Sequence, residues 1–274
     1  MIAWEKLARP LPNLYDAAVI LAFASAEQSP RCGRRYTRRT PASGERTFFG
    51  GEISVRHLST VCNLPSLPFA ENGPLDAPQI DTAESLIRNW PEGYEAFAVL
   101  MDTLSPIISR GASEYSASHS EEDLFGTMYA TVHDPLALAE CCVHEMAHHK
   151  LRALGVGVNR ARTILRNSPD ELYVSPIIKD RKRPMSAVLH ATYAFLHVLE
   201  LLIAVATKET RPAFRTTAIA RMARDGTRVE EGVQVIRESG VFDGNGVAFF
   251  SGLSEWAEVA LRRSQVIAAA RTPG

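Results

Sequence analysis

The sequence predicts a mainly α fold with a small β component, an α+β class, in a single domain spanning 1–274. Three observations predict it. Residues 13–28 are rich in Ala and Leu and lack Gly and Pro, as a mostly buried helix does. Asp134-Pro135 and Pro184 each open a long helical pattern, the first running to about Leu154 before Gly155 and the second to about Thr207. Only Gly126 to Val132 alternates clearly enough to read as a strand, and it is expected at a sheet edge, able to pair with an extended peptide.

The remaining elements follow in order. From Pro30 to Gly51, Arg31, Arg34, Arg35, Arg38, Arg39 and Arg46 are interleaved with Gly, Pro, Ser and Thr. This reads as a solvated basic loop, with a surface for an acidic peptide as the alternative. Residues 52–63 suit a short strand or helix. Pro65, Pro68, Pro74 and Pro78 then discourage regular structure. Helices are expected over Thr82–Trp90 and Tyr94–Ser109, parted by Pro91-Glu92-Gly93, and Ser113–Asp123 is a polar connector. Asn159–Pro176 reads as a short helix and a loop. Ala213–Met222, Val229–Glu238 and Leu253–Arg271 also read as helices. The first 110 residues are expected to form a loosely attached N-terminal helical part, and 126–207 the core of the functional site.

Composition narrows the function classes. The 274 residues are 46% hydrophobic and 22% charged, with 30 basic and 31 acidic residues and a formal net charge of −1. That balance favours neither a nucleic-acid nor a membrane partner. Glu5, Lys6 and Arg9 with Pro10 and Pro12 do not form a secretory signal, and Ala17–Ala26 is too short to span a bilayer. Cys32, Cys62, Cys141 and Cys142 suggest neither a disulfide framework nor a zinc knuckle, so a reducing, cytoplasmic setting is expected.

The informative motif is His144-Glu145-Met146-Ala147-His148. On a helix, residues four apart lie on one face, so the two imidazoles can share one cation. Glu145 can hold a metal-polarised water or orient a ligand. Left without a ligand in the apolar surround of Cys141, Cys142, Val143, Met146 and Ala147, such imidazoles would be costly. The two cysteines themselves read as core. A third ligand must come from elsewhere: His190 is the first candidate, His197 the reserve, and Glu200 the choice for a peptidase whose third ligand is a carboxylate. His149 points about 100° away from His148. The expected architecture is a metallopeptidase-like helix carrying this motif, packed against a short sheet.

The stretch Gly126 to Val198 resembles the HExxH-type peptide-modification family of ribosomal peptide biosynthesis. The matching pieces are Leu138-Ala139-Glu140 leading to Val143-His144-Glu145 and His148, then Tyr173-Val174-Ser175-Pro176, Arg183-Pro184, and Leu189-His190-Ala191 with Tyr193 and Phe195. The resemblance covers about a quarter of the chain. It implies an iron(II)- and 2-oxoglutarate-dependent oxygenase that uses O2 to hydroxylate a β-carbon in a ribosomally made precursor peptide. It further implies His144, His148 and His190 as iron ligands and Arg183 as partner of a cosubstrate carboxylate.

Ile177 departs from the aromatic often found after Ser-Pro, and Arg181 and Lys182 stand as alternatives to Arg183. Tyr173 and Ser175 can add hydrogen bonds at the cosubstrate or serve only as turn residues. In this chemistry Glu145 orients other groups, whereas in the alternative reading, a Zn(II) peptidase, it is the general base. A non-catalytic peptide-binding relative is the third reading.

Overall fold

The computed structural model describes residues 1–26, 35–57, 70–109, 117–177 and 181–270. Arg31, Arg34, Cys32, Cys62, Pro65 and Pro68, together with the ends of several expected segments, lie outside the described residues. The fold is α+β, 56% helical with about 13% strand.

A 3₁₀ turn (Trp4–Ala8) and α1 (Tyr15–Ala26) lead to β1 (Thr47–Phe48), β2 (Ile53–Val55) and β3 (Ala70–Asn72). Next come α2 (Pro78–Ile87), α3 (Pro91–Leu100), β4 (Thr103–Ser109), β5 (Ser118–His119) and β6 (Thr127–Thr131). The second half holds α4 (Pro135–Ala153), the hairpin β7 (Leu172–Val174) and β8 (Lys182–Pro184), then α5 (Met185–Lys208), α6 (Pro212–Ser239) and α7 (Gly244–Ala269).

The main sheet runs β1-β2-β4-β6-β5, with β3 also paired to β4. β2, β4 and β6 are parallel to one another, and β1, β3 and β5 are added antiparallel. α4 packs against both β6 and α5, joining the sheet to the helical layer. α5 is the hub of that layer, in contact with α4, α6 and α7. It is apolar and long enough to cross a membrane, yet 89% of its apolar window is buried inside the fold, as in the central helix of a core. Leu189, Leu196, Leu199 and Leu202 on it are fully buried, each contributing about 1.5–3 kcal/mol by leaving water.

Several expectations are corrected here. The helix expected over Tyr94–Ser109 ends at Leu100, because Met101 turns extended (φ −106°, ψ 150°) and Thr103–Ser109 becomes the central strand. Pairing on both sides, β6 on one and β2 and β3 on the other, outweighs any local helical preference there. β6 is not an edge strand, since β5 pairs with it at Ser118↔Ala130 and His119↔Tyr129, which closes those positions to an extended peptide.

Thr47–Phe48 forms a strand inside the segment expected as loop, and three of its arginines are struts. Arg38 donates to the Val99 carbonyl, Arg39 pairs with Glu45 at 2.6 Å, and Arg46 reaches Asp81. Pro78 opens α2 where the proline-rich connector was expected to stay irregular. No helix forms over Asn159–Pro176; β7 and two isolated bridges, Val156↔Ala161 and Leu165↔Phe242, occupy it. The first 110 residues hold β1–β4 of the main sheet as well as helices.

α6 is one continuous helix where two were expected. It crosses α5 closely: a Cβ on Gly232 would overlap the Thr192 hydroxyl, so glycine is retained for the approach despite its cost in a helix.

Candidate metal centre

α4 makes the site, and local chemistry sets its ends. Asp134 Oδ1 accepts from the backbone N–H groups of Leu136 (2.9 Å) and Ala137 (3.2 Å), and Pro135 takes the first helical position. At the other end Gly155 adopts φ +84°, which suits glycine and turns the chain out of the helix. Between these stops, four-residue spacing stacks His144 and His148 with their Nε2 atoms 3.0 Å apart. Glu145 is 3% exposed, and its carboxylate belongs to a group of ligand atoms, with His144 and His148, all within 4.8 Å of one another.

The sheet edge holds Glu145. Ser118 Oγ donates to Oε1 at 2.6 Å and Ser120 Oγ to Oε2 at 2.5 Å. Arg152, one turn beyond His148, donates in turn to Ser120 Oγ at 2.8 Å and to the Glu121 carbonyl at 3.3 Å.

α5 adds two more side chains. His190 Nδ1 lies 2.9 Å from His148 Nδ1, while its Nε2 lies 2.7 Å from the Val156 carbonyl oxygen. Phe195 meets His144 edge-on at 5.5 Å between ring centroids, and Arg228 of α6 lies over Phe195.

Burial keeps these imidazoles neutral. It pushes His144 below its usual pKa and His148 well below it, with the positive potential of His144, His190 and Arg152 adding to the effect on His148. His149 and His190 are pushed down to about 3, by burial first and by Arg152 second. Neutral rings carry the lone pairs a cation needs. Cys141 and Cys142 pack in or against the core, and burial lifts the Cys141 thiol to about 12, which removes it as a thiolate donor.

The other expected residues fall into place around this centre. His149 points away, as expected, and its Nε2 lies 2.9 Å from the Thr127 carbonyl oxygen, tying α4 to β6. The β7–β8 hairpin sets Tyr173 opposite Arg183, ten residues apart in sequence. Arg183 is half-buried and its charge is felt at His190, whereas Arg181 and Lys182 are exposed. The Tyr173 hydroxyl accepts from Asn167 and donates to Glu171. Ser175 is fully buried, and its Oγ accepts from the Ile177 N–H at the turn.

His197 and Glu200 are not at the centre. The His197 ring is boxed by Trp90, Tyr193 and Trp256, with Nδ1 2.9 Å from the Tyr193 carbonyl oxygen. Glu200 accepts from Trp256 and Arg263 and lines a separate cleft of about 360 Å³. Neither joins the group of converging ligand atoms formed by His144, Glu145 and His148. Arg152, Ser118 and Ser120 were missed from sequence. Arg152 had a legible signal, since it continues the four-residue spacing of His144 and His148; the serines had none beyond a polar stretch.

Comparison of the chain with protein-family models and with curated proteins finds no match.

Proposed function

We propose that this chain is an iron(II)- and 2-oxoglutarate-dependent oxygenase that hydroxylates a β-carbon of a residue in a ribosomally made precursor peptide. The observation that carries the reading is the pair of neutral imidazoles with Nε2 atoms 3.0 Å apart beside a carboxylate. Two ligands at right angles on a cation about 2.1 Å from each would stand about 3.0 Å apart. Imidazoles with a nearby carboxylate suit iron(II) and leave positions for other ligands. The resemblance over Gly126 to Val198 supplies the choice of reaction.

When bound, iron(II), 2-oxoglutarate and O2 supply the oxidant: the peptide C–H becomes C–OH as 2-oxoglutarate and O2 become succinate and CO2. The chain's own residues do the holding and aiming. His144 and His148 present Nε2 to the metal. Ser118 and Ser120 fix the Glu145 carboxylate, so it orients neighbouring groups and is not needed as a base. Arg183 offers a guanidinium that can pair with a cosubstrate carboxylate, with Tyr173 opposite it in the hairpin. Phe195 covers one side of His144 and limits water there.

The test uses the full chain purified without oxygen and supplied with iron(II), 2-oxoglutarate, O2 and a candidate precursor peptide. A mass gain of one oxygen with matching succinate is expected. Cleavage of that peptide by the zinc-loaded chain, without oxygen gain under iron, would replace this reading with the peptidase; failure to hold either metal would leave a peptide-binding protein.

A further inference from the structure

Beyond His190, α5 brings two polar side chains to the cleft that is separate from the metal centre. Glu200 lines this cleft of about 360 Å³, and His197 stands behind the Trp90 and Trp256 rings of its wall, at 6.1 and 4.9 Å between ring centroids. Glu200 is fully engaged. Its Oε1 accepts from Trp256 Nε1 at 2.9 Å and its Oε2 from Arg263 at 2.8 Å, which fixes the indole and balances the carboxylate charge. His197 is not fully engaged. Its Nδ1 lies 2.9 Å from the Tyr193 carbonyl oxygen, while Nε2 is buried and meets no hydrogen-bond partner among the described residues. A buried polar atom left unpaired costs about 1–3 kcal/mol, so a ligand group that meets it gains by relieving that cost.

The charge left over in the cleft is positive. Arg9 and Lys208 line it, both exposed and neither in an ion pair among the described residues, against the single carboxylate of Glu92. Leu11, Ala204 and Val259 add apolar wall. A concave site of this size, walled by aromatic and apolar groups with a few polar atoms, is the form that small-molecule sites take.

We propose that this cleft binds a small aromatic carboxylate that carries a hydroxyl. The aromatic ring lies against Trp90 and Trp256, the carboxylate meets Arg9 and Lys208, and the hydroxyl passes between the two indoles to His197 Nε2. A hydroxyl both donates and accepts, so it satisfies that nitrogen in either tautomer of the ring. Binding here needs no metal, and it stands or falls independently of the chemistry at His144 and His148.

The chain has three tryptophans, so the indole N–H signals of the full protein in a ¹H–¹⁵N spectrum carry their own control: Trp4 packs on Phe23, outside the cleft lining. Titration with para-hydroxyphenylacetate should shift the Trp90 and Trp256 signals to saturation and leave Trp4 in place. Phenylacetate, which lacks the hydroxyl, should bind about tenfold more weakly. Tyramine, which keeps the ring and hydroxyl but replaces the carboxylate by an ammonium, should move neither signal. The double variant Arg9→Ala with Lys208→Ala, confined to exposed side chains, should weaken the acid about tenfold with an unchanged circular dichroism spectrum.

No saturable shift of Trp90 and Trp256 at millimolar para-hydroxyphenylacetate would overturn the site. Equal affinity for phenylacetate would overturn the contact with His197, and tyramine binding as tightly as the acid would overturn the anionic class of ligand.

Discussion

On one face of α4, Lys150 and Asp16 form an ion pair at 2.9 Å with neither side chain exposed; on the other, His144 and His148 meet at 3.0 Å with part of each residue open to solvent. The Lys150 face is closed. Asp16 also accepts from the Leu11 N–H, and although burial alone would lower the Lys150 pKa, the Asp16 charge lifts it above its usual value. Every charge there has its partner from within the fold. Among the described residues, His144 and His148 are met by ring-to-ring contacts, with each other, His190 and Phe195. Buried polarity on one helix therefore serves attachment of the N-terminal segment on one side and ligand capture on the other.

The largest effect that would test this contrast is His148→Ala, expected to abolish metal binding while leaving unfolding free energy within about 1 kcal/mol of wild type. Metal analysis and urea unfolding on one preparation check both halves. A collapse in stability would make the two faces alike.

Next in size, Lys150→Met or Asp16→Asn alone should cost about 3–5 kcal/mol, because one partner is left charged or unpaired in the core. The double replacement Lys150→Met with Asp16→Leu should recover most of that loss. If the double variant is no better than the singles, the pair does more than neutralise itself.

Proton uptake separates the faces a third way. Unfolded imidazoles titrate near 6.5, whereas His149 and His190 titrate near 3 in the fold. Between those values the unfolded chain holds more protons, so stability is full above about 6.5 and is lost as pH falls toward 3. The slope is up to about 1.4 kcal/mol per pH unit for each group. His144, His148 and His197 shift in the same direction. Lys150, with its raised pKa, acts oppositely: its contribution is present below the unfolded value and is lost only as alkali rises through the folded one. Urea midpoints of the metal-free chain at pH 7.5 and 5 should differ accordingly, and equal midpoints would contradict the buried neutral rings.

The smallest effect concerns the link between the sheet and the centre. Ser120→Ala removes one hydrogen bond to Glu145 and one from Arg152, costing about 1 kcal/mol each. A loss confined to stability, with metal affinity unchanged, would show that the serine clamp supports the fold without shaping the site.

Legibility followed the range of the forces involved. The bounds of α4 were readable because an N-cap aspartate, a first-turn proline and a left-handed glycine act within a few residues of themselves. β4 was not, although Pro106 already speaks against a helix running to Ser109. Only β2, β3 and β6, distant in sequence, supply the hydrogen bonds that make Thr103–Ser109 a strand. α6 was split in the reading because residues 223–228 are mostly polar or glycine, yet Asp225 and Gly226 there are buried on the face that carries Met222 and Val229.

The sequence by itself determined that His144 and His148 share a helical face, because helix geometry places residues four apart together wherever the helix forms. It also determined that α5 would leave water, through apolar content, while only the fold shows it buried among α4, α6 and α7. Tertiary structure decided that His190 arrives at His148 through Nδ1, that Ser118 and Ser120 clasp Glu145, and that His197 and Glu200 serve a different cluster. Those outcomes depend on which atom of a ring or carboxylate meets which neighbour, and a few tenths of an ångström between packed helices, invisible in residue spacing, settles that.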